Sequence, residues 1–134
     1  MSQQNVKLVE SLYEAFAQGD IPAILAAMDG GIVWDIPQAP DYPLGGIHRG
    51  PQGIASEFFS IIPMYYEEFA AIPQHLVDDG DQVIVLAEYR GKGKASGTSF
   101  QVPAVHVYGF RDGRWVLFQE YTDTGTIAAA LNLK

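Results

Sequence analysis

A histidine and a glutamate lie inside what otherwise read as two core strands. From Pro103 to Thr124 the chain runs PAVHVYGFRDGRWVLFQEYTDT. Two runs rich in Val, Tyr, Phe and Trp flank Arg111-Asp112-Gly113-Arg114, the pattern of a long antiparallel hairpin. His106 falls in the first run; Glu120, Thr122 and Asp123 fall in the second. An imidazole or carboxylate among core residues must be paired, wet or functional, because burying it alone is costly. On a shared face the two could pass a proton near neutral pH.

Whether they share a face depends on the turn. A two-residue Asp112-Gly113 turn pairs Phe110 with Trp115, sets His106 against Gln119 and sends Glu120 to the other face. A three-residue loop, Arg111 to Gly113 with Gly113 in the left-handed region, pairs Phe110 with Arg114 and puts His106, Phe118 and Glu120 on one face. The residues alone leave both open.

The elements that must hold this hairpin are read from periodicity. Leu8, Val9, Leu12, Tyr13 and Phe16 mark a helix over 5–18, stopped by Gly19. Asp20 caps a second helix over 21–28 with Pro22 in its first turn. Gly30-Gly31 breaks it, and Ile32 to Ile36 forms a strand carrying Trp34 and Asp35. The Pro- and Gly-rich stretch 37–50 reads as a long loop, a mouth or a surface excursion. A third helix over 51–62 carries Phe58 and Phe59 and ends at Pro63. Strands follow over 67–77, 82–92, 99–110 and 114–122, then a short helix or tail over 126–133. Helices first and meandering strands after indicate an α+β fold. A strongly curved antiparallel sheet wrapped around the N-terminal helices forms a cone with an apolar pocket.

Composition narrows the function. The 134 residues are 48% hydrophobic and 18% charged, which suits one domain over 1–134 with a real core. Eight Lys and Arg against sixteen Asp and Glu argue against nucleic acid and anionic membranes. There are no cysteines, hence no thiolate chemistry. The polar start MSQQNVKLVE has no signal-peptide core, and no apolar run nears the roughly 20 residues of a membrane span, so the expectation is a cytoplasmic protein. His48, His75 and His106 lack ligand-type spacing, so neither metal nor cofactor is expected.

LYEAFAQGD, VWDIP, HRGPQGI, DDGDQVIVLAEYRG and VHVYGFRDGRWVLFQEYTDT, in this order, resemble the nuclear transport factor 2-like superfamily. Within it the chain is most similar to the SnoaL-like polyketide cyclases and the related ketosteroid isomerases. The resemblance covers nearly the whole chain. It implies that His106 matches the cyclases' pocket histidine, that Glu120 matches their acid/base aspartate and that Asp35 falls near the isomerases' general base. It also favours the turn that puts His106 and Glu120 on one face. The chain departs from the pattern in three places. Leu12 stands where the isomerases place their oxyanion tyrosine, with Tyr13 one step away. Ala87 and Tyr89 stand where the epoxide hydrolases need an Arg and an Asp. Glu120 replaces an aspartate.

The expected activity is therefore an isomerase or cyclase. Glu120 would remove a proton beside a carbonyl, and His106 or Asp35 would donate to the enolate oxygen. Burial should raise the Glu120 pKa, and a nearby imidazole should pull it back. Tyr13, Phe16, Trp34, Phe58, Phe59, Tyr108, Phe118 and Thr122 would meet a small hydrophobic, planar or terpenoid-like carbonyl compound. The bland readings are a His106 bonded to a backbone carbonyl, a Glu120 bridged to Arg90 or Arg114, and a surface Asp35. The outer sheet face, with Trp115, Leu117, Tyr121 and Asp123, is the expected homodimer interface. A ligand-binding or dimerisation domain without catalysis is the alternative.

Overall fold

The computed structural model describes residues 2–39 and 42–131. Helix α1 (Ser2–Ala17) buries Val9, Leu12 and Tyr13 along one stripe. Gly19, at φ +74°, turns the chain out of it. Helix α2 (Ile21–Ala26) starts as expected: the Asp20 carboxylate accepts from the Ala23 N–H at 3.2 Å, and Pro22 occupies the first turn. It stops two residues early, because Met28 already belongs to β1 (Met28–Ile36). Gly30 and Gly31 therefore do not end the helix; they sit within the irregular start of β1, between the Met28 and Val33 pairings.

The expected loop over 37–50 contains a short strand, β2 (Gly46–Arg49), paired with β1. Pro40 and Asp41 of that loop lie outside the described residues. The expected third helix is three pieces: α3 (Gly50–Ile54), a π-helical turn (Ala55–Phe59) and α4 (Ile62–Tyr65). Pro63 opens α4 rather than ending a helix, since its missing N–H is no loss in a first turn. The π turn is widened by the Ser60 N–H bonding to the Ala55 carbonyl at 2.9 Å. Both Phe58 and Phe59, adjacent in sequence, are thereby buried.

Four long strands follow: β3 (Tyr66–Asp79), β4 (Gln82–Gly93), β5 (Ser99–Arg111) and β6 (Arg114–Thr122). The single curved, open sheet has the order β2-β1-β6-β5-β4-β3, antiparallel except where β1 meets β6. The fold is α+β, with the helices before the long strands, as expected. Helix α5 (Thr124–Ala130) closes the described chain, so residues 132 and 133 of the expected tail lie outside it. Among the described residues no helix is long and apolar enough to cross a membrane.

The β5–β6 hairpin corrects the preferred turn but keeps its result. The turn is the two-residue one: Asp112 (φ +53°) and Gly113 (φ +77°) lie between paired Arg111 and Arg114. Both left-handed residues fit the twist of the flanking strands. Phe110 pairs with Trp115, but Gly109 pairs with Leu117, so Val116 is an extra, unpaired residue. This bulge shifts the register, and His106 lies directly opposite Glu120. It also overturns the placing of Trp115 on the outer face: Trp115 is fully buried. Asp123 is not on the sheet either. It caps α5, accepting from the Thr126 N–H at 3.0 Å and hydroxyl at 2.6 Å. Tyr121 does face out, 56% exposed.

Candidate active site

The concave side of the sheet and the inner face of α1 enclose a cavity of about 60 Å³. That is room for roughly four to six waters. Its wall holds seven of the expected ligand contacts: Tyr13, Phe16, Trp34, Phe58, Phe59, Tyr108 and Phe118. His106 and Tyr89 also line it, as does Trp115, turned inward by the bulge.

Three expected residues are not in the wall. Asp35 alternates with buried Trp34 and Ile36 along β1, so its side chain leaves on the opposite face. Thr122 donates its hydroxyl to the Pro103 carbonyl at 2.8 Å. Glu120 is buried, 3% exposed, but lies behind Tyr89 rather than against the cavity.

His106 and Glu120 are joined through a third residue. Tyr13, from α1, meets His106 Nδ1 at 2.6 Å. Tyr89, from β4, meets His106 Nε2 at 2.5 Å and donates its hydroxyl proton to Glu120 Oε1. Tyr42, from the loop before β2, donates to Glu120 Oε2 at 3.3 Å. The bland bridges are absent: Arg90 pairs with Glu88 and Arg114 with Asp29. Neither His106 nitrogen bonds a backbone carbonyl; both meet phenols.

Burial sets the charge states. With no cation beside it, Glu120 is pushed up to about 7 by desolvation, against the pull of the Tyr89 and Tyr42 hydroxyls. Desolvation drives His106 down to about 3, so its ring is neutral at physiological pH. Tyr13, Tyr89 and Tyr108 are pushed well above the usual phenol range, first by desolvation, and remain protonated donors.

These constraints fix the direction of the hydrogen bonds. When Glu120 is ionised, Tyr89 gives it its proton and must accept from His106 Nε2–H. Nδ1 is then bare and accepts from the Tyr13 hydroxyl. When Glu120 is protonated every donor can reverse, and Nδ1–H points to Tyr13. One proton entering at Tyr13 thus emerges on Glu120 with each intermediate group still neutral. Among the described residues no three His, Asp or Glu side chains converge on a possible metal site.

Tyr89 and Tyr42 were not expected here. Tyr89 carried a signal, a polar tip within the apolar run VIVLAEY, but it registered only as a departure from another chemistry. Tyr42 sits in a Pro-rich loop, where no periodicity points inward.

A family model for the SnoaL-like domain matches residues 9–118. An NTF2-like protein of unknown function from Burkholderia pseudomallei is 29% identical, with 96% of this chain and 97% of that one covered and a TM-score of 0.89. TerC, co-crystallised with polyporic acid, is 26% identical over 96% of this chain and 98% of its own, with a TM-score of 0.87. A hypothetical protein with a ketosteroid isomerase-like fold from Catenulispora acidiphila, in complex with trimethylamine, shares the fold at 18% identity. It covers 94% of this chain and 92% of its own, with a TM-score of 0.78. No curated protein matches the chain significantly.

Proposed function

This chain belongs to the SnoaL-like domain family, and from that premise we propose that it is an acid/base enzyme of isomerase or cyclase type. Its substrate is a small hydrophobic carbonyl compound. The observation that carries this reading is the continuous path Tyr13–His106–Tyr89–Glu120, which starts at an apolar cavity and ends on a carboxyl group balanced near neutrality. A general base whose pKa lies near the working pH is populated in both of the forms it must visit.

Glu120 works through the path rather than by touching the substrate. The carbon acid gives its proton to the Tyr13 oxygen as the Tyr13 proton moves to His106 Nδ1. The Nε2 proton moves to Tyr89, and the Tyr89 proton moves to Glu120. The enolate so formed either takes a proton back at another carbon, shifting a double bond, or attacks a second carbonyl and closes a ring. The returning proton then comes down the same path. The TerC complex supports a small molecule as ligand, since a chain of this fold and similar sequence was crystallised with polyporic acid.

The seclusion of Glu120 favours a second reading, a pocket that holds its ligand unchanged. The test is exchange of α-hydrogens for deuterium in acetophenone, 1-indanone and 2-tetralone, followed by NMR. Catalysed exchange that falls by roughly 10² or more in Glu120→Gln is expected. Binding without exchange selects the second reading. Exchange that survives in Glu120→Gln defeats the proposed role of the carboxylate.

A further inference from the structure

Trp34 is 3% exposed and lines the cavity, yet its indole N–H has no acceptor among the described residues. Its surroundings explain why. Phe118 stacks on it at 4.0 Å between ring centres, and Phe58 and Phe59 meet it at 5.4 and 5.6 Å. These offer ring faces, which are weak acceptors. The cross-strand neighbour His48 has both nitrogens engaged, one with Glu57 and one with the Leu44 carbonyl. The contrast is with Trp115, also in the wall, whose N–H donates to the Leu117 carbonyl at 3.0 Å. Buried donors are nearly always paired, and a bare one on a residue that lines a cavity is a group that a bound ligand can satisfy.

We propose that Trp34 is a specificity-determining residue whose Nε1–H holds an acceptor oxygen, carbonyl or ether, of a flat ligand about one ring in size. This rests on the reading that the cavity takes a small molecule, but not on the chemistry at Tyr13. The size follows from the cavity of about 60 Å³ and its wall of aromatic rings. The polar requirement follows from the bare N–H. His106 packs on the same Phe118 at 4.9 Å, so a ligand oxygen on Trp34 and a reacting group at the His106 path would lie on two sides of one small molecule. Such a site rejects the isosteric hydrocarbon, because that ligand would seal the N–H away from every acceptor.

The probes are acetophenone and α-methylstyrene, which differ by an oxygen in place of a methylene. The chain has two tryptophans, so a ¹⁵N-labelled sample gives two indole N–H signals. Trp34 is identified by its contacts with Phe58 and Phe118. Acetophenone should move the Trp34 signal downfield, leave the hydrogen-bonded Trp115 signal nearly still, and bind roughly tenfold more tightly than α-methylstyrene. In Trp34→Phe that preference should vanish while both probes still bind. Should that variant fail to fold, the wild-type titrations decide alone. Equal affinity for the two probes, or a Trp34 signal that ignores the bound ketone, overturns the inference and leaves the pocket reading standing. If neither probe binds at millimolar concentration, the pocket reading fails and takes this one with it.

Discussion

The protein buries two histidines on one side of its sheet, and each is coupled to a glutamate. His48 meets Glu57 directly, Nδ1 to Oε1 at 2.8 Å, and its other nitrogen faces the Leu44 carbonyl at 3.0 Å. Both partners accept, so each bond needs an N–H from the ring and neither partner can hand a proton back to it. His106 meets Glu120 only through the Tyr89 hydroxyl, and its other nitrogen meets the Tyr13 hydroxyl. Both partners there can give or take, so the ring turns its polarity over without moving. The first arrangement fastens β2 to the π-helical turn that carries Phe58 and Phe59. The second can carry a proton. The residue types are the same; what separates structure from chemistry is whether the intervening groups are amphoteric.

The sharpest way to break that comparison is to remove one hydroxyl oxygen. Tyr89→Phe should lower catalysed exchange by roughly 10² or more, as much as Glu120→Gln, and the double variant should be no worse than either single. Additive losses would mean the two do not act in series. His48→Leu should leave exchange within a few-fold and instead cost stability, about 1–3 kcal/mol in denaturant titration. The cause is the Leu44 carbonyl losing its donor, while the half-exposed Glu57 rehydrates.

The next effect is on stability against pH, where the two site groups oppose each other. Glu120, raised from 4.5 to about 7, keeps a proton in the folded state that the unfolded chain has lost, so its contribution falls as pH rises through that window. His106, lowered from 6.5 to about 3, lacks a proton that the unfolded chain holds, so its contribution grows from about pH 3 to 6.5. Between about 4.5 and 6.5 the slopes cancel. Glu120→Gln should uncover a stability that climbs across that range, and His106→Gln one that falls, each by about 2–3 kcal/mol. Parallel curves for both variants and the parent would mean that neither group titrates abnormally. The smallest expected change is in Tyr42→Phe. Its long bond to Glu120 holds the carboxyl down, so losing it should move the midpoint of the activity profile upward by a fraction of a unit while the maximal rate stays close to the parent's.

The long strands were legible because runs rich in Val, Ile, Tyr and Phe between Gln82 and Thr122 are bounded by Gly-Asp, Ser-Gly and Asp-Gly turn residues. Strand β2 was hidden because four residues among prolines and glycines are too short to show a period. The division of the third helix was hidden too, since a π turn is set by one widened hydrogen bond and not by composition. At the site, His106 and Glu120 stood out as polar residues in apolar strands. The group between them did not, because a tyrosine looks at home in a core whether or not its hydroxyl works. Seven aromatic residues expected to meet a ligand line the cavity. Asp35 and Thr122 lie outside the wall for geometric reasons, one by strand alternation and one by a backbone acceptor closer at hand.

The unpaired Val116 has a consequence for comparing relatives. Beyond it in β6, Phe118 and Glu120 face inward and Tyr121 outward only because the strand is one residue longer than its partner requires. A relative lacking that residue would present the neighbours of these positions to its cavity, even with every other letter unchanged. In this hairpin, then, length carries information that residue identity does not. A one-residue gap there, which an alignment scores as minor, would exchange the inside of the molecule for its outside and with it any shared chemistry.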